Sequence, residues 1–253
     1  MMRTLLISLT VAAIGCIAGG VTYAEDARRG PILVELFTSE GCSSCPPADA
    51  WLRAIDASQP LPEQLIVLSE HVDYWNHDGW KDPYSSHPLT ERQSDYEVIL
   101  QEDSPYTPQV IVDGTSQAKL GDADEVRKVF EKSAASPKIP VRITSTSLGS
   151  GSVRVHVDAD GRTTTHNADV YIAVALDHAE SQVLRGENSG RHLVHTAVVV
   201  DLQKIGALKK GSTFSKDVEV KLNSPIDPKN LRVVAFVQEA GPGKVLGSAL
   251  RKP

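Results

Sequence analysis

No basic stripe runs along this sequence, so nucleic acid is not an expected partner. No glycine-rich phosphate loop, no Ser-His-Asp order and no H-E-x-x-H motif stands out, so nothing points to hydrolase chemistry. No internal repeat or low-complexity tract is visible, which leaves a repeat architecture without support. Cysteine is scarce, with three residues in 253. What is present is ordinary: 41% hydrophobic, 23% charged and a net charge of −6 fit a soluble globular chain rather than a disordered one. The length suits one large domain or two ordinary ones.

The first 24 residues are set apart. Arg3 is followed by a small, apolar, uncharged run from Leu5 to Gly19, and Thr22-Tyr23-Ala24 has the small-x-small form of a cleavage site. This is the pattern of a secretory signal peptide, and its apolar core is short for a membrane span. Cleavage near Ala24 is expected to leave a periplasmic or secreted chain with no stable membrane span. A retained anchor, or a lipoprotein modified at Cys16, is the alternative. Cleavage removes Arg3 and Cys16, taking the net charge from −6 to −7.

Two cysteines then remain, in "FTSEGCSSCPPAD". Cys42-Ser43-Ser44-Cys45 reads as a redox pair, a metal clip or a structural staple. Export places it where a disulfide persists. So small a ring constrains an unfolded chain little, which weighs against the staple. A C-x-x-C between an apolar run and a helix is a redox arrangement, because a helix N-terminus favours a thiolate. Cys42 is expected to be the exposed attacking thiol and Cys45 the resolving one. Pro46 and Pro47 follow at once, which places the helix start near Pro47 and weakens the dipole's hold on Cys42.

The pattern predicts strands at Pro31–Phe37, Leu65–Val72, Gln109–Asp113 and Ser116–Leu120. Helices are predicted at Ala48–Ala57, Pro88–Glu102 and Asp122–Ala135. The order β-α-β-α-β-β-α suggests a sheet with parallel strands and covering helices. "SAASPKIP", Ser133 to Pro140, reads as a linker. Beyond it, "VRITSTSL", "SVRVHVDAD", "DVYIAVALD", "HTAVVVDL", "DVEVKL" and "LRVVAFVQE" are short strands in series, which suggest an antiparallel sandwich.

Strand, C-x-x-C, helix, strand, helix, Thr-Pro, strand, hairpin and helix together resemble a thioredoxin-like fold. The longer segments "VELFTSEGCSSCPPADAWL", "HVDYWNHDGWKDPYSS", "YTPQVIVDG" and "GENSGRHLVHTAVVV" closely resemble a family of secreted bacterial proteins known as domain of unknown function 1223. The resemblance implies an α/β fold. A thioredoxin-like domain over 25–136 would be followed by a β-rich, antiparallel sandwich domain over 137–253. It also implies that Pro108 is cis, lies against the cysteines and, with Thr107, shapes a substrate edge. Glu35, seven residues before Cys42, would be a buried acid able to tune the pair, although an edge-exposed or salt-bridged glutamate is the simpler reading. Ser43 and Ser44 stand where ordinary thioredoxins carry Gly-Pro.

"HVDYWNHDGWKDPYSS", His71 to Ser86, is expected to border the same sheet end. His71 would tune a thiolate, ligate a metal beside Cys42 and Cys45, or simply pack the loop. Two thiolates and an imidazole suit copper or zinc. "RGENSGRHLVH", Arg185 to His195, would either line the cleft through Glu187, Asn188, Arg191 and His195 or form a plain hairpin loop. The functional expectation is an exported thiol-disulfide oxidoreductase acting on protein thiols or disulfides with an unidentified redox partner and no cofactor. The alternatives are a copper-binding or copper-delivery protein and a non-catalytic interaction scaffold.

Overall fold

The computed structural model describes residues 29–149, 151–222, 226–241 and 243–252. The expected leader over 1–24, including Cys16, lies outside the described residues. The chain folds as a mixed α/β protein built on one eight-stranded sheet and one three-stranded sheet.

The first half follows the expected order closely. Strand β1 (Ile32–Thr38) and strand β2 (Leu65–His71) are buried along their whole length, as continuous apolar runs require. Between them helix α1 (Pro46–Ser58) lays Ala48, Leu52 and Ile55 on Ile32, Val34 and Leu36. Helix α2 (His87–Leu100) covers the opposite face through Leu89 and Tyr96. Strands β3 (Gln109–Val112) and β4 (Ser116–Ala118) form a hairpin, and helix α3 (Ala123–Ala134) closes the segment. The side chain of Asp122 caps α3 by accepting from the N–H groups of Asp124 and Glu125. β1 pairs parallel with β2 and antiparallel with β3.

Among the described residues, the regular structure of the second half is all strand apart from one short 3-10 helix. β5 (Val141–Gly149), β6 (Ser152–Asp160) and β9 (Thr213–Lys221) make the small sheet. β7 (Ala168–Gln182), β8 (His192–Leu208), β10 (Leu231–Glu239) and β11 (Val245–Arg251) pair antiparallel among themselves. Val153, Val155 and Val157 of the small sheet share one apolar core with Val170, Ile172, Val174, Val233 and Ala235 of the large one.

The large sheet takes strands from both sides of the expected linker. Its order is β11-β10-β7-β8-β2-β1-β3-β4, and the junction is the parallel pairing of Ser69 on β2 with Val198 on β8. Arg232 on β10, 1% exposed, locks the junction by pairing with Asp56 of α1 at 2.8 Å and with Asp177 of β7. Leu89 of α2 packs in one cluster with Leu33 and Leu68 from the first half and with Ala173 and Phe236 from the second.

Candidate functional site

β1 ends at Thr38, and a turn over Ser39–Ser44 carries the chain into α1. Cys42 N–H donates to the Ser39 carbonyl at 3.2 Å, and Cys45 N–H to the Cys42 carbonyl at 3.3 Å. This tight coil brings the Cα atoms of Cys42 and Cys45 to 5.4 Å, and the two sulfurs are joined as a disulfide. Gly41 is required here, since a Cβ would come within 2.9 Å of Trp75 Cβ. Ser43 and Ser44 are exposed, but Cys42 is 1% and Cys45 0% exposed. The expectation of an exposed Cys42 is therefore corrected: surrounding loops close over the turn.

The helix start is also corrected. α1 begins at Pro46, with Cys45 as its N-cap in right-handed helical geometry despite the following proline. Pro46 and Pro47 carry no N–H, and the Ala48 and Asp49 N–H groups both donate to the Cys45 carbonyl. The first turn thus aims no free N–H at either sulfur, in line with the expected weakening of the dipole.

The Thr107–Pro108 peptide bond is cis. It sets the Thr107 carbonyl oxygen 3.7 Å from Cys42 Sγ, and Ser44 Oγ donates to the same oxygen at 3.5 Å. Thr107 is itself held by Trp75, whose indole N–H donates to Thr107 Oγ1 at 2.7 Å. The tryptophan loop after β2 therefore does border the cysteines.

An acid–histidine cluster lies behind the turn. Thr38 pairs with His71 across β1 and β2, so both stand at the sheet end that carries the turn. His71 Nδ1 meets Asp82 Oδ2 at 2.7 Å with both side chains fully buried. Asp82 Oδ2 also accepts from Glu40 N–H at 2.8 Å. Burial alone would raise the Asp82 carboxyl, but His71 and the Glu40 and Tyr84 N–H groups outweigh it and hold it below the usual range. The His195 ring stands edge-on to His71, with centroids 4.8 Å apart. His195 Nε2 lies 3.3 Å from Glu40 Oε1, and Nδ1 lies 3.7 Å from Asp49 Oδ2. Burial opposes its protonation, but Asp49 and Glu40 prevail and raise His195 to about 9. Thr38 Oγ1 donates to the other Asp49 oxygen at 2.9 Å, and Trp80 Nε1 donates to Glu40 Oε2 at 2.8 Å.

The β7–β8 connection reaches the turn from the second half. Asn188, fully buried, donates from Nδ2 to the Glu40 carbonyl at 2.8 Å and to the Cys42 carbonyl at 2.9 Å. Ser43 N–H donates to Glu187 Oε2 at 3.2 Å. Of the four residues proposed for this loop, Glu187, Asn188 and His195 meet the turn or its cluster, while Arg191 is exposed.

Glu35 sits elsewhere. Val34 and Leu36 face α1, so Glu35 faces α2 on the opposite side of the sheet. Arg92 holds it at 2.6 Å and Tyr96 donates to it at 2.7 Å, so the salt-bridged reading describes its placement. Glu70, fully buried and 3.6 Å from Arg92, joins this group, and burial followed by the Glu35 charge raises its carboxyl well above the usual range. Sequence reading missed Glu40, Asp49 and Glu70. Glu40 and Asp49 flank the C-x-x-C within its own segment, and Asp49, one turn past Cys45, was the available signal.

Among the described residues no group of three or more His, Cys, Asp and Glu side chains has the arrangement of a metal centre. No helix among them is long and apolar enough to cross a membrane.

No curated protein matches the chain. Among solved structures, a structural-genomics protein from Agrobacterium tumefaciens is 29% identical, with a TM-score of 0.66 over 87% of this chain and 92% of that one. HBP35 of Porphyromonas gingivalis shares the fold at 13% identity, with a TM-score of 0.61 over 89% of this chain and 75% of that one. The family model described as protein of unknown function (DUF1223) matches residues 33–238, a span holding the disulfide turn, the tryptophan loop, the cis proline and Asn188. The chain belongs to the DUF1223 family.

Proposed function

We propose that this protein is an exported thiol-disulfide oxidoreductase of thioredoxin-like architecture, with Cys42 as the attacking or attacked sulfur and Cys45 as the resolving one. The observation that carries the reading is the 3.7 Å approach of the Thr107 carbonyl to Cys42 Sγ in a C-x-x-C disulfide between β1 and α1. The leader pattern of residues 1–24 supports export to a compartment where the pair can be oxidised.

In the oxidising direction a substrate thiolate attacks Cys42 Sγ. The Cys42–Cys45 bond breaks, and Cys45 leaves as a thiolate carrying the electron pair. A second substrate thiolate then attacks the substrate sulfur of the mixed disulfide and expels Cys42 as a thiolate. The substrate gains a disulfide, and the protein gains two electrons and, on protonation, two protons. The reverse sequence reduces a substrate disulfide. Thr107 and Pro108 border the approaching chain. His195, cationic through neutral pH, pairs with Glu40 and Asp49 next to the turn and so lowers the negative charge that the leaving thiolate would otherwise meet there.

The test is turnover of a model protein disulfide by the purified chain, with Cys42→Ala and Cys45→Ser beside it. Cys42→Ala is expected to abolish turnover, and Cys45→Ser to accumulate a mixed disulfide on Cys42. Turnover that survives Cys42→Ala overturns the reading.

One observation favours a second reading. His71 Nε2 is buried without a hydrogen-bond partner while Nδ1 is oriented by Asp82, the pose of a metal-ligating imidazole backed by a carboxylate. Cys42, Cys45 and His71 are not gathered as a metal centre with the disulfide closed, so this reading requires that reduction bring the two thiolates to His71, a set suited to copper(I). Protection of the thiols from alkylation by copper(I), lost in His71→Ala, is the outcome that supports it. Equal alkylation with and without copper rejects it.

A further inference from the structure

Both sulfurs of the disulfide are buried, yet the turn that bears them is held from outside by a segment more than 140 residues away in sequence. Asn188 spends both amide protons of Nδ2 on backbone carbonyls of the turn, those of Glu40 and Cys42. Glu187 accepts the N–H of Ser43. Three hydrogen bonds thus fasten one strap to the residues before, at and after Cys42. The strap is bounded by two glycines with positive φ, Gly186 at +76° and Gly190 at +82°. Gly186 is close-packed on the tryptophan loop, where a Cβ would meet the Asp78 carbonyl at 3.0 Å and Trp80 Cβ at 3.1 Å. Gly190 has open space around its missing Cβ. The Gly186 end is therefore packed against the tryptophan loop, while the Gly190 end is held only within its own hairpin, by the Gly190 N–H donating to the Val183 carbonyl at 2.8 Å and the Val183 N–H to the Arg191 carbonyl at 2.9 Å.

We infer that Glu187 and Asn188 form a gate over the Cys42–Cys45 disulfide, and that the strap must release the turn before any external thiol reaches Cys42 Sγ. This rests on the exchange reading, for which it names the positioning residues that control access. The chemistry supports a gate rather than a plain brace. In-line attack needs a sulfur lone pair to approach along the S–S axis, and a residue 1% exposed offers no such path while the turn is closed. The bonds that close it are few, sit on side chains of another part of the chain, and can break without unfolding β7 or β8, whose pairing ends at Gln182 and His192.

A gate has a kinetic signature that a brace lacks. It slows reduction and reoxidation by the same factor and leaves the equilibrium between disulfide and dithiol unmoved. A brace that favours one redox state changes the two rates unequally and shifts the potential. The experiment measures both rate constants for the full-length mature protein, by quenching with an alkylating agent during reduction by dithiothreitol and, after its removal, reoxidation by glutathione disulfide. Asn188→Ala is expected to raise both constants about tenfold, as loss of two buried hydrogen bonds warrants, with their ratio unchanged. Glu187→Ala, at an exposed position that does not threaten folding, is expected to raise both by about twofold to threefold, as loss of one partly solvated bond warrants. Unchanged rates in Glu187→Ala and Asn188→Ala, or a change in only one direction, overturn the gate. Because dithiothreitol reduces any accessible disulfide, this outcome is independent of whether the protein turns over a protein substrate.

Discussion

The imidazole of His195 and the carboxylate of Glu40 meet at 3.3 Å, although 155 residues separate them in sequence. With Asp49 on its other nitrogen, His195 is raised from 6.5 to about 9. A group whose folded value lies above its unfolded one contributes stability fully below the unfolded value, and that contribution is lost as pH rises through the folded value. For His195 the window runs from about 6.5 to about 9. Urea unfolding at pH 6 is expected to show His195→Gln less stable than the parent by up to about 3 kcal/mol. At pH 10 the difference should largely vanish. An equal difference at both pH values would show that the ring packs without carrying its charge.

The two buried glutamates of β1 and β2 should respond in opposite directions. Glu35 neutralises Arg92, which stacks over Tyr96 with its guanidinium carbon 5.0 Å from the ring centre. Glu35→Gln leaves a buried cation with a weakened partner, and a loss of about 3 kcal/mol is expected in denaturant unfolding.

Burial, then the Glu35 charge, raises the Glu70 carboxyl well above its ordinary value, so above that ordinary value the folded chain keeps a proton that the unfolded chain gives up. The favourable side of that linkage lies below 4.5 and is lost as pH rises through the folded value. Glu70→Gln removes that loss, so the variant is expected to gain stability relative to the parent as pH rises above the ordinary carboxylate range. A destabilised Glu70→Gln would show that Glu70 works as a charged partner of Arg92 instead.

The junction between Ser69 and Val198, locked by Arg232 on Asp56 and Asp177, makes the two halves one sheet. Unfolding followed by near-ultraviolet and far-ultraviolet circular dichroism should give one coincident transition. Asp56→Ala strips a partner from an arginine 1% exposed and should cost about 3 kcal/mol. Two separated transitions in the parent protein would contradict the coupling.

Much of this was legible beforehand where local chemistry decides. Apolar runs such as Ile32–Phe37, interrupted only by Glu35, and Leu65–Leu68 admit little but buried strands, and "LRVVAFVQE" is β10 residue for residue. The C-x-x-C and Thr-Pro announced themselves because each is a short motif with its own backbone demand. What escaped depends on contacts between distant segments. β11, "VLGSALR", is too short and too broken by Gly247 and Ser248 to show a period of two. The burial of Cys42 is set by contacts from distant segments, and the reach of Asn188 to its carbonyl is legible only as one of two readings of Arg185–His195, because a plain hairpin loop has the same local signal. Glu35 was noticed as an acid in an apolar strand, but the face it occupies is fixed by Val34 and Leu36 packing on α1, and Arg92 is 57 residues away.

The most direct test is the reduction potential of Cys42–Cys45. Mature protein is equilibrated in glutathione buffers, free thiols are trapped by alkylation, and adducts are counted by mass. Reversible titration in the range of thiol-disulfide enzymes, about −120 to −270 mV, is the result the exchange mechanism requires. A pair that stays oxidised below about −300 mV, the range of structural disulfides, would contradict it and make the turn an inert brace on an interaction scaffold.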